Sequence, residues 1–454
     1  MNVRLTDPPG SPHRSATSTQ PVKGTAMTTS RIARRIATLG IIATTAIALS
    51  ACTTASSTPA GETGDEGNGP ATLWVRANDA PLDQSLVDAW NSDNPKQKIS
   101  LVAIPDAQYV QKFIQGVQSG DVPDIAVVDI ANAQALVTED LLTDITDKVN
   151  ALDYADQLAP AAVDIASADG KIYGVPHQLD VALLYYNPTL FEAAGIDGPP
   201  TTSAEIIEDA RKITALGDDT YGFYFAGNCA GCNAYTTLPF IWANGGDILN
   251  EDGTEATLDD PAVGEAMDTL KTMWDEGLMP PTAKDENGAT WITAFQSNKV
   301  GMVALGSFGI SIYGAEDGPD FDVTAIPGVD GETSAFLGGD VVGIPTNAKN
   351  KGTAWDFIEW SMSEDAQTNI VAKAGSLVVR SDLVGNAVTA EEPRRATANA
   401  LISVAQVPKT AKYNSVFIDS TGPFLQFIRS WVFDGEGDGA IGSTQSAFDD
   451  RLKN

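Results

Sequence analysis

Between Ala71 and Ile130 the chain alternates strand-like and helix-like segments, and this alternation limits the fold more than any other feature. "ATLWVRA" reads as a strand. "PLDQSLVDAWN" follows with Leu86, Val87 and Trp90 on one helical face, and "KISLVAI" reads as a second strand. "AQYVQKFIQGVQSGD" sets Tyr109, Val110, Phe113, Ile114 and Val117 at helical spacing, and Gly120 ends that run. "VPDIAVVDI" is a continuous apolar run closed by Asp129, as a strand buried on both faces would be. The order β-α-β-α-β implies a largely parallel sheet with helices on both sides, an α/β architecture.

The segment before this unit is of another kind. "RIARRIATLGIIATTAIA" carries Arg31, Arg34 and Arg35 and then an uncharged stretch of 16 residues, Ile36–Ala51. That is shorter than the roughly 20 residues a spanning helix needs. A basic start, a short apolar middle and small residues at the end describe a secretory signal. It closes on "LSAC", which resembles the lipobox of bacterial lipoproteins, and implies lipidation of Cys52 after cleavage before it. Residues 1–51 are therefore expected to be a signal peptide, with Met27 as the expected true start. Residues 52–69, rich in Ser, Thr, Gly and Ala, are expected to be a flexible tether. The anchor places the chain on the outer face of a cytoplasmic membrane without crossing it.

The formal net charge is −32, and loss of residues 1–51 leaves 22 basic against 59 acidic residues, a net −37. Such a field repels nucleic acid and anionic lipid and disfavours anionic ligands. Cys229 and Cys232 in "NCAGCN" are the two cysteines after Cys52. Their Asn- and Gly-rich surroundings suggest a loop rather than the strand and helix N-terminus of a redox CxxC, and a short structural disulfide is expected. His177 is the one histidine beyond the signal region, which disfavours His-based metal sites and a Ser-His-Asp triad. "DGEGDG" at 434–439 resembles the start of a calcium loop, but residue 445 is Gln where the ligating Glu would stand. No metal or cofactor is expected.

Further helices are signalled by their ends. Thr202 and Glu205 form a capping-box pattern, with Gly217 as a stop. Asp260 and Pro261 start a helix that Gly277 ends, with Val263, Ala266, Met267, Leu270, Met273 and Trp274 on one face. Residues 352–375 read as two helical pieces.

Several segments together carry a resemblance. "SGDVPDIAVVD", "GKIYGVPHQLDVALLYYNPTLFEAAGIDGPPTTSAEI", "PFIWANGGDILNEDG", "AFQSNKVGMVALGSFGI", "GGDVVGIPTNAKNKGTAWDFIEW" and "AGSLVVRSDL" occur in this order. They resemble the extracellular solute-binding proteins of carbohydrate ABC importers, the group that includes maltose-binding protein, from about Ala71 to the C-terminus. The resemblance implies a two-lobed periplasmic-binding-protein fold with a hinge, each lobe a mostly parallel sheet flanked by helices. It implies lobe 1 at 70–180 plus 341–392 and lobe 2 at 181–340 plus 393–454. Crossings are expected near Leu179–Leu184, Gly339–Gly343 and Ala387–Arg395.

A sugar site needs carboxylates and amides for hydroxyls and aromatic faces for the rings. By the resemblance, Asp180 stands at the interlobe crossing where a carboxylate accepts hydroxyls. Tyr235 stands where relatives offer an aromatic ring. Phe308 stands where they usually have Trp, which points to a smaller stacking platform. Trp291 is read as cleft-lining or core, and Trp242 as core. Asn78, Asp79 and Asp129 end strands whose carboxyl ends bind ligands in parallel α/β sheets. Gly338, Gly339 and Asp340 form a turn at the second crossing, where glycine lets backbone approach a ligand. Arg380 matches a position with a structural or near-cleft role. The leading reading is a monomeric, non-enzymatic receptor that delivers a carbohydrate to permease subunits. The alternatives are a surface-anchored glycoside hydrolase, or the same fold taking a peptide, polyol or siderophore.

Overall fold

The alternation opens the fold: β1 (Ala71–Arg76), α1 (Ala80–Asp93), β2 (Ile99–Ile104), α2 (Asp106–Ser119), β3 (Ile125–Asp129) and α3 (Ile130–Thr138) follow in order. The computed structural model describes residues 67–217 and 219–453. The signal-like stretch, Met27, Cys52 and nearly all of the tether lie outside the described residues. Leu86, Val87 and Trp90 of α1 are buried, as are Tyr109 and Phe113 of α2. Gly120, at φ +77°, ends α2 and returns its N–H to the Gly116 carbonyl. β1 pairs in parallel with β2 and with β3, and Ile125–Val128 are buried on both faces at the sheet centre.

The remaining strands are β4 (Ser167–Ala168), β5 (Lys171–Ile172), β6 (Gly174–Tyr186), β7 (Tyr221–Tyr224), β8 (Val300–Gly306), β9 (Asp322–Thr324), β10 (Ile326–Pro327), β11 (Thr333–Gly343) and β12 (Ala405–Gln406). The main sheet runs β2-β1-β3-β11-β6-β8-β7. β7 and β8 are parallel, while β11 is antiparallel to both β3 and β6, and β6 to β8. The sheet is thus mixed, because the two strands that carry the chain back and forth enter it antiparallel.

Those two long strands are β6 and β11. Gly174–Val181 of β6 lie against β11, and Ala182–Tyr186 lie against β8. Both stretches expected near Leu179–Leu184 and Gly339–Gly343 fall on this pair. Asp340 pairs with Gln178 and Val341 with Pro176, so His177 is the extra residue of a bulge. The bulge accommodates Pro176, which cannot donate to a ladder. The stretch expected at Ala387–Arg395 lies in helices Ala387–Glu391 and Pro393–Leu401.

Buried apolar side chains form two large clusters. One joins β1–β3 and their helices with Phe357 and Ile358. The other gathers Phe223, Phe240, Met267, Phe427 and Trp431. β6 serves both: Val181, Leu183 and Tyr185 face the first, Ala182 and Leu184 the second. Two helix starts follow the sequence signals with one change. Asp260 accepts from Ala262 N, and Thr202 accepts from Glu205 N at 3.2 Å. Glu205 reaches back to Thr201 N at 2.7 Å, one residue earlier than a strict capping box.

Gly339 has φ +102°, and a Cβ there would stand 2.1 Å from the Gln178 carbonyl oxygen. Gly339→Ala is therefore expected to lower stability by at least about 2 kcal/mol. Gly385, with open space around it, should tolerate alanine within about 0.5 kcal/mol. Urea denaturation of the two variants checks this; equal midpoints would refute it.

Candidate functional site

Beside the β6–β11 crossing lies a cavity of about 300 Å³. Asp129, Ile130 and Ala131 form one wall where β3 passes into α3. Gly231, Cys232 and Tyr235, from the helix Ala230–Ala243, form another. Asp180 of β6 and Gly338 and Gly339 of β11 supply the floor, and Trp291, Phe308, Phe336, Tyr413 and Ile418 add apolar surface. Phe308 and Ile418 are among the more exposed large apolar side chains, at 42% and 43%. No Lys, Arg or His lines the cavity. A larger hollow of about 650 Å³ is lined by Trp242–Gly245, Asp260–Ala262 and neighbours, and includes no residue of the crossing. Mainly apolar walls around a few convergent polar groups make the smaller cavity the candidate binding site.

Asp180 is the convergent polar group. Its Oδ2 accepts from the Tyr235 hydroxyl, and its Oδ1 from the Ser307 hydroxyl and from Phe308 N at 3.2 Å. Burial raises its carboxyl above the ordinary value, against the pull of these three donors. The Tyr235 hydroxyl is pushed well above its usual range by burial and then by the Asp180 charge. Glycines make this packing possible. A Cβ on Gly338 would come within 2.9 Å of the Tyr235 ring, and one on Gly306 within 2.6 Å of Asp180 Oδ2.

Three expected ligand residues lie away from this cavity. Asn78, Asp79 and Asp340 do not line the cavity. Asn78 sits exposed in the turn after β1. Asp79 and Asp340 are held by Arg76, whose side chain also holds Asp129. Arg76 Nη1 donates to Asp129 Oδ2 at 2.6 Å, and Nη2 to Asp340 Oδ1 at 2.7 Å. Nε lies 2.9 Å from Asp79 Oδ2, a charge contact not aligned as a hydrogen bond. Gln178 Nε2 donates to the other Asp340 oxygen at 2.7 Å. Asp340 is fully buried, and that burial pushes its carboxyl up to about 7 against the attraction of Arg76. A cation at the carboxyl end of β1 had claimed these carboxylates, and the sequence signal for it was the charge run "RAND" alone. Arg380 is structural: it pairs with Asp382 at 2.6 Å and lies over the Tyr154 ring.

Cys229 and Cys232 are joined in a disulfide, but not in a loop. β7 precedes them, and Cys229 is the N-cap of the helix Ala230–Ala243. Gly288, at φ +96°, packs against both sulfurs. Cys232 thereby becomes part of the cavity wall. Ser307, Phe336, Tyr413 and Ile418 were not foreseen either. Ser307 had a signal, because it precedes Phe308 in the quoted "GSFGI"; Tyr413 and Ile418 reach the site only through tertiary folding.

Beside this Arg76 clamp on Asp79, Asp129 and Asp340, His177 Nε2 lies 2.6 Å from Asp83 Oδ1, both side chains buried. Burial pulls the imidazole down, but the Asp83 charge and bond, with Asp340 and Asp79, outweigh it and leave its pKa raised. The stability this pair contributes is complete below the ordinary His value and is lost as pH rises through the raised one. Asp83→Asn removes the main raising partner and leaves the burial. The His177 NMR titration midpoint should therefore stand above 6.5 in the wild type and fall in the variant. An unmoved midpoint would refute this origin.

Comparison with known proteins places this geometry. Residues 75–368 match the family described as bacterial extracellular solute-binding protein. A binding protein of Brucella abortus (strain 2308) is 29% identical over 313 residues, 67% of this chain and 74% of the relative. The diacetylchitobiose binding protein DasA of Streptomyces coelicolor is 25% identical over 376 residues, 78% of this chain and 84% of the relative. The solved structure of a cyclic α-maltosyl-1,6-maltose binding protein from Arthrobacter globiformis superposes with a TM-score of 0.76 at 24% identity, covering 86% of this chain and 100% of its own. The two-lobed fold, the cavity at the strand crossing and the match over most of the described chain agree, and the chain belongs to the bacterial extracellular solute-binding protein family.

Proposed function

We propose that the protein captures a neutral sugar or oligosaccharide in the cavity at the crossing and delivers it to the permease subunits of an ABC importer. The observation that carries this reading is Asp180: a half-buried carboxylate, donated to by uncharged groups only, set among the rings of Tyr235, Phe308 and Trp291 in a cavity without cations. A carboxylate beside aromatic faces fits a hydroxylated ring with apolar C–H surfaces. Sugar-binding relatives and structural neighbours support the same class. A hydrolase would need carboxylates free for proton transfer or attack. Asp129 is instead held by Arg76 and caps Ala131 N, and Asp180 accepts three internal hydrogen bonds.

Lobe 1 at 70–180 plus 341–392 and lobe 2 at 181–340 plus 393–454 turn about the β6–β11 pair to close on the ligand. The strands β6 and β11, which pair with each other and lie between β3 on one side and β8 on the other, support this division. The chain is exported, lipid-anchored at Cys52, and acts as a monomer. Its basic and apolar N-terminal run and "LSAC" support the anchor. Among the described residues no helix is long and apolar enough to cross a membrane.

Calorimetric titration of the full chain with a panel of di- to pentasaccharides tests the function. Wild type should bind at least one with a micromolar or lower Kd, and Asp180→Ala should weaken that binding about tenfold or more. Absence of binding to every saccharide would overturn the reading. Labelling of expressing cells with a fatty-acid analogue tests the anchor. Label should enter the wild type and be absent from Cys52→Ser, with the variant released to the medium; a labelled variant would refute the site.

A further inference from the structure

One aromatic wall of the cavity has its place set from outside the cavity. Trp291 is half-buried and opens a helix of only six residues, Trp291–Gln296. The residue before it, Thr290, is the N-cap of that helix, yet its side chain makes no cap bond. So short a helix has little stability of its own. The indole therefore stands where the loop 286–290 puts it, and that loop is held at two points.

The first point is Glu286. Its carboxylate accepts from Gly288 N at 2.8 Å and Thr290 N at 3.0 Å, and also from the Thr290 hydroxyl. Tyr224 of β7 donates to it at 3.0 Å. The hydroxyl that a Thr N-cap ordinarily turns to its own helix is thus engaged by Glu286. Glu286 is itself buried, and a buried carboxylate is costly without donors, so these bonds fold the loop around it.

The second point is the disulfide. The Glu286 carbonyl accepts from Asn228 N at 2.8 Å and sets the loop beside Cys229. Gly288 then lies against the Cys229–Cys232 bond, where a Cβ would stand 3.2 Å from each sulfur. Two thiol sulfurs stand farther apart than two bonded ones. Opening the bond therefore presses on Gly288 on one side and, through Cys232, on the cavity wall on the other.

We propose that the Cys229–Cys232 disulfide and Glu286 are positioning residues for ligand binding: they hold the loop 286–290 between them and so set the Trp291 ring where it meets a bound sugar. The proposal rests on the carbohydrate reading above for its ligand.

The test separates position from stability. The full chain is prepared with fluorotryptophan, and the Trp291 fluorine resonance is identified by its absence from Trp291→Phe. A phosphine then opens the disulfide, giving with one water two thiols and the phosphine oxide. Reduction should shift the Trp291 resonance and leave those of Trp74 in β1 and Trp90 in α1 in place. Glu286→Ala should shift it too, and Glu286→Gln, which keeps a side-chain oxygen acceptor, should restore most of the wild-type position. In titration with a saccharide that binds the wild type, reduction should weaken affinity about threefold to tenfold, the range of one aromatic contact. In Trp291→Ala, reduction should add less than about twofold, because the ring through which it acts is gone. Melting curves of the reduced protein and of each variant confirm that the chain is folded. A Trp291 resonance unmoved by reduction, or equal weakening of wild type and Trp291→Ala, would overturn the positioning role and leave the sugar receptor intact. If no saccharide binds, the carbohydrate reading falls, and the Trp291 resonance still decides whether the disulfide sets the ring.

Discussion

One guanidinium holds the sheet together at the point where function is built. β3 and β11 pair so that Asp129 and Asp340 stand directly opposite each other. Like charges in that position repel, and Asp340 is wholly buried, so the pairing would be unfavourable without a counter-charge. Arg76, from the next strand, reaches both and Asp79 as well. Three elements far apart in sequence are thereby fixed at one end of the sheet: the end of β1, the end of β3 and the middle of β11. Removal of the cation would leave three carboxylates clustered in a poorly solvated place.

The cavity inherits its geometry from this clamp. Asp129 is at once a clamp partner, the N-cap of α3 and a cavity wall. Asp340 is followed by the bulge at His177 and preceded by Gly338 and Gly339, where β11 comes close to Tyr235 and to the β6 backbone. Asp180 pairs with Gly338 across the crossing and takes its donors from the Tyr235 helix and from the end of β8. Polar satisfaction of Asp180 therefore joins the same elements that the strand crossing brings together. A site assembled this way is preorganised without a ligand, because its carboxylate already has fixed donors.

Much of this was legible in the chain. Asp129, Gly338 and Gly339 were singled out by local rules, Asp180, Tyr235 and Phe308 by the family resemblance and Trp291 as a cleft or core aromatic, and all seven meet at one cavity. The misses share a different cause. Asp79 and Asp340 satisfy the same local rules but are claimed by a residue whose reach depends on strand order. Cys229 looked loop-bound because Asn228, Gly231 and Asn233 are turn formers, yet helical packing against the second core overrides their propensity. The parallel strands β2-β1-β3 and β8-β7 agree with the expected lobes, and the antiparallel pairings belong to the crossing strands β6 and β11. Strand direction at a crossing is set by the return path of the chain, which periodicity does not encode.

By itself the sequence determined the α/β class, the strand–helix order of the first sixty described residues, the principal helix starts and the acidic, cation-poor character of the surface. These follow from interactions within a few residues, or from composition, and they survive any arrangement of the elements. The tertiary structure alone decided which carboxylates face the cavity and which are neutralised, which helix end carries the disulfide, and that Tyr413 and Ile418 complete a wall begun by Ile130 and Ala131. Those outcomes depend on contacts between residues as much as 282 positions apart, as in the Asn132–Asn414 bridge. A side chain's burial and charge partners are properties of the packed fold, and no local pattern in the chain specifies them.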